Sequence, residues 1–235
     1  MIQDYLKTFK PYHILGEKFH GAPAYISLAE ASPYFDEFAT ATQEQINALL
    51  QKIQAEKGAT WSVSGDREHR AALYANQGYN MTEAAIHVGV DVIAPAGIPI
   101  YAPFDSEVAS VSYDGMRGGY GWTAVLKCPE FYLLFGHLAR ENLAQVGTKL
   151  KGGNTFARIG ETHENGNWFH HTHMQVLTDE AYNKHYFSAL VRPNEMKFAD
   201  YYHPSPMPII LAGIKQEKGI PLFNGLNNHK SIEDQ

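Results

Sequence analysis

The stretch that decides the fold is His87-Val-Gly-Val-Asp91, read together with His171-Thr-His173 further along the chain. Imidazole nitrogens and carboxylate oxygens are zinc ligands. Alternate residues of a strand point to the same face, so the second segment can direct two imidazoles into one cavity. In the first segment, four residues of straight strand span about 13 Å, which is too far for two ligands of one metal. Its valines nevertheless favour a strand, so we predict a bend or bulge at Gly89.

Further segments follow these residues in a fixed order. The chain contains HVGVD at 87–91, APAGIPIYA at 94–102, FGHL at 135–138 and HTHMQV at 171–176. Each one alone is a weak signal in a chain with 12 histidines. In this order they resemble the lysostaphin/LytM-type zinc endopeptidases, whose segments are HxGxD, an APxGTPVYA-like turn and strand, a YGHL-like segment and a final HLHFE-like strand. The resemblance covers about residues 84–178.

The resemblance implies a zinc ion held by His87, Asp91 and His173, with His137 and His171 as a catalytic pair that does not bind the metal. It also implies an enzyme that hydrolyses peptide bonds, those of peptidoglycan-type peptides, by attack of a zinc-bound water with histidine acid/base assistance. The residue types agree, because two imidazoles and one carboxylate leave zinc a net positive charge that acidifies water and polarises a carbonyl. The chain has no HExxH segment, so a glutamate base of the thermolysin kind is not offered.

Other residues are assigned by their surroundings. His163, in a polar loop, and Tyr101 are candidate groove residues. His170 lies on the opposite face of its strand from its neighbours and is predicted at the surface or behind the ligands. His69 has charged neighbours and is predicted at the surface. The apolar residues before His137 would by themselves indicate a buried histidine at a strand end, and only the other motifs favour a catalytic role.

Two features depart from the pattern of the family. Ala84-Ala-Ile86 precedes the first histidine, where the family commonly has a basic residue. Met174 and Gln175 stand where phenylalanine and glutamate are usual. Neither departure changes an assigned ligand. Both instead concern the substrate contacts and the residues that support the ligands.

The sequence predicts a mainly β fold, and short apolar runs separated by glycine and proline indicate the strands. Residues 59–83 include the charged run Asp66-Arg-Glu-His-Arg70, which is predicted to be a solvated turn or short helix. Thr42 and Gln45 form a capping box, which predicts a helix at about 43–57. We predict strands at 86–92, 98–103, 106–113, 121–128, 131–137, 154–159 and 171–178. The resulting core is a compact antiparallel β sandwich or barrel-like structure of the duplicated hybrid motif type.

We predict three parts of the chain. Residues 1–83 form an N-terminal extension with one helix, packed on the core because it is rich in aromatic residues. Residues 84–180 form the metallopeptidase-like β domain, and residues 181–235 form a C-terminal extension whose last residues are frayed. One hypothesis places part of the N-terminal extension at the border of the groove, with Asn76 and Asn80 approaching the metal.

Composition excludes several classes of protein. A formal net charge of −6 and the absence of a basic stripe argue against a nucleic-acid partner. The single cysteine, Cys128, excludes an internal disulfide and is predicted to be a core residue. No apolar run is long enough to span a membrane. Met1 opens a segment without the regions of an export signal, which predicts a cytoplasmic enzyme, or an extracytoplasmic one if the chain is truncated.

Two other classes compete with the enzyme. One is a non-catalytic member of the same fold that binds peptides or cell wall, but such members typically lose a ligand or catalytic histidine, and none is lost here. The other is a phosphocarrier or lipoyl-carrier domain of related fold. A phosphocarrier needs a histidine without metal ligands around it, and a lipoyl carrier needs a lysine at a hairpin tip, and neither requirement fits as well.

Overall fold

The computed structural model describes residues 2–19, 21–79, 83 and 85–214. Its α-helices are α1 Ile2–Thr8, α2 Phe35–Thr40, α3 Gln43–Glu56, α4 Ala71–Asn76, α5 Asp179–Asn183, α6 Met196–Tyr202 and α7 Met207–Ala212. Its strands are β1 Ala24–Tyr25, β2 Ser62–Val63, β3 Ile86–His87, β4 Val90–Ile93, β5 Pro99–Tyr101, β6 Ser106–Tyr113, β7 Trp122–Lys127, β8 Tyr132–Leu138, β9 Lys149–Leu150, β10 Thr155–Arg158, β11 His171–Leu177 and β12 Leu190–Val191.

A mixed eight-stranded sheet forms the centre of the fold. Its strand order is β1-β2-β4-β11-β8-β7-β6-β9, and the strands pair antiparallel except for β1 and β2, which are parallel. Two small antiparallel sheets, β5 with β10 and β3 with β12, complete the β structure. The mainly β fold class predicted from the sequence is therefore confirmed.

The two faces of β11 have different roles, because successive side chains of a strand alternate between faces. Met174 and Val176 belong to the main core cluster, together with Phe135 of β8 and with Ile100 and Phe156 from the small β5–β10 sheet. The opposite face of β11 carries His171, His173, Gln175 and Leu177. The central strand thus buries one face in the apolar core and presents its histidines on the other.

Several local predictions are confirmed. The helix α3 has the predicted capping box, in which the Thr42 side chain accepts from the Gln45 backbone and the Gln45 side chain accepts from the Thr42 backbone. Six of the seven predicted strands are present, and the strand predicted at 86–92 is divided into β3 and β4, which lie in different sheets. The predicted bend also occurs, because Gly89 has a φ of +106° and separates β3 from β4.

The prediction of one helix in the N-terminal extension is wrong. The described part of this extension contains the four helices α1 to α4, and its strands β1 and β2 join the central sheet beside β4. The helices α1, α2 and α4 have only six or seven residues, and neither α2 nor α4 has a side-chain cap at its N-terminus. Helices this short are stabilised by tertiary packing, so their sequences lack a periodic signal.

Removal of residues 1–84 should yield an insoluble or unfolded product. The deletion removes β2, whose Ser62 and Val63 pair with Ile93 and Val92 of β4, and it leaves an apolar strand edge open to aggregation. It also removes Trp61, which is fully buried in the main core. Solubility and circular dichroism of the truncated chain measure the effect. A soluble fragment with a cooperative unfolding transition would contradict this expectation.

The C-terminal extension packs on the histidine face of the central sheet. Ala181 of α5 is fully buried in a cluster with Leu134 and Leu177, and β12 pairs with β3. The last residues, predicted to be frayed, lie outside the described residues. Among the described helices, none is long and apolar enough to cross a membrane.

Candidate metal and catalytic site

Three of the predicted ligands meet on the histidine face of the sheet. His173 lies opposite Asp91 in the β11–β4 ladder, and His87 ends the neighbouring strand β3. His87 Nε2 is 3.0 Å from His173 Nδ1 and 3.2 Å from Asp91 Oδ1, and His173 Nδ1 is 3.1 Å from the same oxygen. All three side chains are buried, and their donor atoms lie within 4.8 Å of one another. The structure thus brings together the ligand set that the sequence predicts.

Gly89 makes this convergence possible. A Cβ at this position would lie 2.6 Å from the Met174 carbonyl oxygen and 2.8 Å from the His173 ring, and the positive φ disfavours any other residue. The Gly89 backbone N–H donates to Asp66 Oδ1 at 2.9 Å, which holds the bend in place. The chain can therefore return Asp91 to the side of His87, which a straight strand cannot do.

The hydrogen bonds behind the two rings show that the donor set fits a metal cation. His87 Nδ1 lies 3.3 Å from the Gly65 carbonyl, and His173 Nε2 lies 3.2 Å from Gln175 Oε1. Both partners are acceptors, so these ring nitrogens carry the protons. The remaining lone pairs, on His87 Nε2 and His173 Nδ1, then face each other and the Asp91 carboxylate without a proton between them. Two imidazoles and one carboxylate in this arrangement suit zinc.

A buried guanidinium supports the ligand carboxylate. Arg70 Nη1 donates to Asp91 Oδ2 at 2.7 Å, and Ser64 Oγ donates to the same oxygen at 3.0 Å. The other side of Arg70 pairs with Glu68 at 2.9 Å. Burial alone would raise the pKa of Asp91, but His87 and Arg70 outweigh it and hold that pKa well below its usual range. Asp91 is therefore ionised, with Oδ1 left for the metal.

The prediction of a solvated turn at residues 66–70 is wrong for Glu68 and Arg70, which are buried. Arg70 and Glu68 are 4% and 8% exposed, and only His69 is on the surface, as predicted. Arg70 pairs inside the fold with the opposite charges of Glu68 and Asp91. A run of alternating charges in the sequence does not indicate that such residues are buried. The positive charge beside Asp91 is thus supplied by Arg70 of the N-terminal extension.

Arg70→Ala should weaken both the fold and the metal site. The substitution leaves the Asp91 and Glu68 carboxylates buried without a counter-charge, which costs about 3–5 kcal/mol when a buried pair is broken. Loss of a residue that orients a ligand costs about 10–100-fold in metal affinity. Thermal unfolding and zinc competition with a chelator measure the two effects, with the exposed Arg140→Ala as the control of equal charge change. Unchanged values for Arg70→Ala would exclude this supporting role.

A β-bulge brings the fourth histidine to the site. Trp122 and Ala124 of β7 pair with Leu138 and Phe135 of β8, so Gly136 and His137 together oppose a single residue. His137 has a φ of +61°, a left-handed conformation that is uncommon outside glycine. The extra residue turns its side chain toward the histidine face, where its ring centroid lies 4.3 Å from that of His171.

Both rings of this pair are oriented by backbone carbonyls. His137 Nδ1 lies 2.7 Å from the Asn165 carbonyl, and His171 Nδ1 lies 2.8 Å from the Phe169 carbonyl. Each Nδ1 is thus a donor, and each Nε2 keeps a lone pair. Burial, reinforced by the neighbouring His171, holds the pKa of His137 well below its usual range. Burial also lowers the pKa of His171 to about 4. Both imidazoles are therefore neutral at pH 7 and can accept a proton.

Asn165 is a supporting residue that sequence reasoning did not identify. It is fully buried, and its side chain accepts from the Trp168 backbone at 2.9 Å and donates to the Gly160 carbonyl at 3.3 Å. These bonds fix the loop whose carbonyl holds His137. Buried asparagine cannot be distinguished from surface asparagine by type alone, so the sequence carries no signal for this role.

The five histidine and aspartate residues line one cavity of about 590 Å³. Leu28, Leu73 and Tyr74 of the N-terminal extension form part of its wall, as the hypothesis of a bordering extension expects. Residues of the C-terminal extension form another part, and Arg192 bonds Glu83 at 3.1 Å across the two extensions. The cavity is thus shaped by all three parts of the chain.

Other predicted residues lie elsewhere. Of the two candidate groove residues, His163 is exposed and Tyr101 packs beside Gly16 and Tyr12, and neither is among the described residues that line the cavity. His170 is partly buried and bonds Glu161 at 3.2 Å, away from the ligands. Asn76 is exposed and does not line the cavity, and Asn80 lies outside the described residues.

The comparison with known families agrees with this geometry. Residues 85–185 match the family model of peptidase family M23. No curated protein matches the chain.

Solved structures give a more distant comparison. Lysostaphin from Staphylococcus simulans aligns at 20% identity over 57% of this chain and 47% of its own, with a TM-score of 0.42. The catalytic domain of the prophage-encoded M23 protein EnpA from Enterococcus faecalis aligns at 22% identity over 46% of this chain and 77% of its own, with a TM-score of 0.36. A zinc-containing peptidase from Vibrio cholerae aligns at 26% identity over 40% of this chain and 28% of its own, with a TM-score of 0.35. This chain thus spans less than half of the lysostaphin and Vibrio cholerae chains.

Proposed function

We propose that the protein is a zinc-dependent endopeptidase that hydrolyses peptide bonds in peptidoglycan-type peptides. The observation that carries the proposal is the meeting of His87, Asp91 and His173 with the pair His137 and His171 in one cavity, all within the segment that matches family M23. The first three residues offer a complete ligand set, and the pair offers two neutral bases beside it. The similarity of the sequence to lysostaphin-type enzymes supports the choice of substrate.

Each residue has a distinct task in this proposal. A bound zinc supplies a positive charge that acidifies water and polarises the scissile carbonyl. His171 is the pair member closer to the metal ligands, with Nε2 3.7 Å from Asp91 Oδ1. Its neutral ring, or that of His137, accepts at Nε2 the proton of the attacking water. The protonated ring then donates that proton to the leaving amine. The partner ring can stabilise the oxyanion only in its protonated form, with a proton on Nε2.

The non-catalytic alternative is not favoured. A binding protein needs neither the strained backbone of His137 nor the two carbonyls that hold Nδ1 of His137 and His171. Strained conformations cost of order 1–3 kcal/mol and persist where function requires them.

The test is hydrolysis by the purified protein carrying one equivalent of zinc. Soluble peptidoglycan fragments and intact sacculi are assayed side by side, and mass spectrometry locates each new amino terminus. We expect cleavage that is lost on chelation, returns with zinc, and is faster on the soluble fragments. Stoichiometric zinc with peptide binding but no cleavage would favour the non-catalytic alternative.

A further inference from the structure

Gln175 lies directly behind the metal ligand His173 and is itself fully buried on β11. Its Oε1 is 3.2 Å from His173 Nε2, on the side of the ring away from the ligand atom Nδ1. If Oε1 faces the ring, His173 carries its proton on Nε2 and keeps a lone pair on Nδ1. If the amide were reversed, the ring would instead meet an N–H donor, and the proton would move to Nδ1. The orientation of one amide thus decides whether His173 can bind a metal.

Two groups of the C-terminal extension determine that orientation. Gln175 Nε2 lies 3.2 Å from the Ser188 carbonyl oxygen, which can only accept a hydrogen bond. The same nitrogen lies 3.0 Å from His203 Nδ1. On the other side, the Tyr120 hydroxyl lies 3.1 Å from Gln175 Oε1 and 2.8 Å from the Phe187 carbonyl oxygen, and its single proton can go to only one of these acceptors. A reversed amide would place two acceptor oxygens 3.2 Å apart at Ser188.

His203 is suited to the acceptor role. It follows α6, is 2% exposed, and also forms a hydrogen bond with the Val176 backbone. Burial lowers the pKa of His203 to about 4 in spite of that bond, so its ring is neutral at pH 7. A neutral ring that donates from Nε2 to a carbonyl has Nδ1 free to accept from Gln175. The Arg67 guanidinium donates to the His203 carbonyl at 2.8 Å and holds this end of α6 on the core.

We propose that His203 and Gln175 are positioning residues that fix the metal-binding tautomer of His173 through a directed chain of hydrogen bonds. In this series of hydrogen bonds, His203 donates to the Val176 backbone, Gln175 donates to His203, and His173 donates to Gln175. Such chains are cooperative, and each bond strengthens the next. His203 lies outside residues 85–185, so the segment that matches family M23 depends on the C-terminal extension for the state of its ligand. This inference rests on the proposed zinc site.

The test compares His203→Phe with His203→Gln in the full-length chain. Phenylalanine fills the space without an acceptor, whereas the glutamine amide can accept from Gln175 and donate to the Val176 carbonyl. We expect His203→Phe to lower zinc affinity about 10–100-fold, measured by competition with a chelator. We expect His203→Gln to restore most of that loss. His185→Asn, at an exposed position of the same extension whose left-handed backbone asparagine tolerates, is the control.

A second measurement separates positioning from general stability. Nitrogen chemical shifts of the metal-free protein report which nitrogen of His173 carries the proton. We expect His173 to carry its proton on Nε2 in the native chain and in His203→Gln. In His203→Phe, a larger fraction of the protein should carry this proton on Nδ1. Gln175→Leu, which removes the acceptor, should give the same mixture even if His203→Phe fails to fold. An unchanged tautomer and zinc affinity in these variants would overturn the inference, whereas a native chain that binds no zinc would overturn the proposed function itself.

Discussion

His173→Ala should abolish stoichiometric zinc binding. His173 is in direct contact with both other ligands, with Nδ1 3.0 Å from His87 Nε2 and 3.1 Å from Asp91 Oδ1. Without it, two donors remain where a catalytic zinc site requires three from the protein. The loss should exceed the roughly 10–100-fold that removal of a supporting residue costs. Metal analysis after dialysis and competition with a chelator measure it.

The control for this variant is His163→Ala, which removes an exposed imidazole outside the cavity. It should retain one equivalent of zinc at unchanged affinity. Circular dichroism of His173→Ala establishes that the loss of zinc does not reflect unfolding. A folded His173→Ala protein that holds a full equivalent as tightly as the native chain would show that the metal, if bound, lies elsewhere.

The catalytic pair should behave in the opposite way. His137→Ala and His171→Ala should each retain zinc while turnover falls by about 10²–10⁴, because removal of an acid/base group or of an oxyanion donor has effects of this size. Their Nδ1 atoms are engaged by the Asn165 and Phe169 carbonyls, and neither ring is part of the ligand cluster. Zinc content and kcat, measured on the same samples, give the comparison.

His137 needs a second variant because its backbone is left-handed. Asparagine tolerates this conformation better than most residues, so His137→Asn separates loss of the imidazole from strain in the bulge. Both His137 variants should lose turnover to a similar extent. Near-normal turnover in a zinc-loaded variant would remove that histidine from the mechanism.

The sequence by itself determined the β architecture and the ligand types. Short apolar runs separated by glycine and proline predict the strands, because these signals are local to each segment. The bend at Gly89 also follows from the sequence, since two ligands four residues apart in a straight strand cannot reach one metal. The ordered motifs indicated the five residues that the structure brings into one cavity.

Only the tertiary structure decided how those residues are held. The charge that supports Asp91 comes from Arg70, and the amide of Gln175 contacts the ring of His203, with both partners outside residues 85–185. Residues 66–70 look like a solvated turn because charged residues are rarely buried, and burial here depends on partners distant in the chain. Arg70 bonds Asp91, which is 21 positions away, and Gln175 bonds His203, which is 28 positions away. Hydrogen bonds over such separations produce no repeating pattern in the sequence. Local sequence signals therefore specify where the strands form. The orientation of the ligands and the position of their protons depend instead on buried polar groups that pair only in the folded chain.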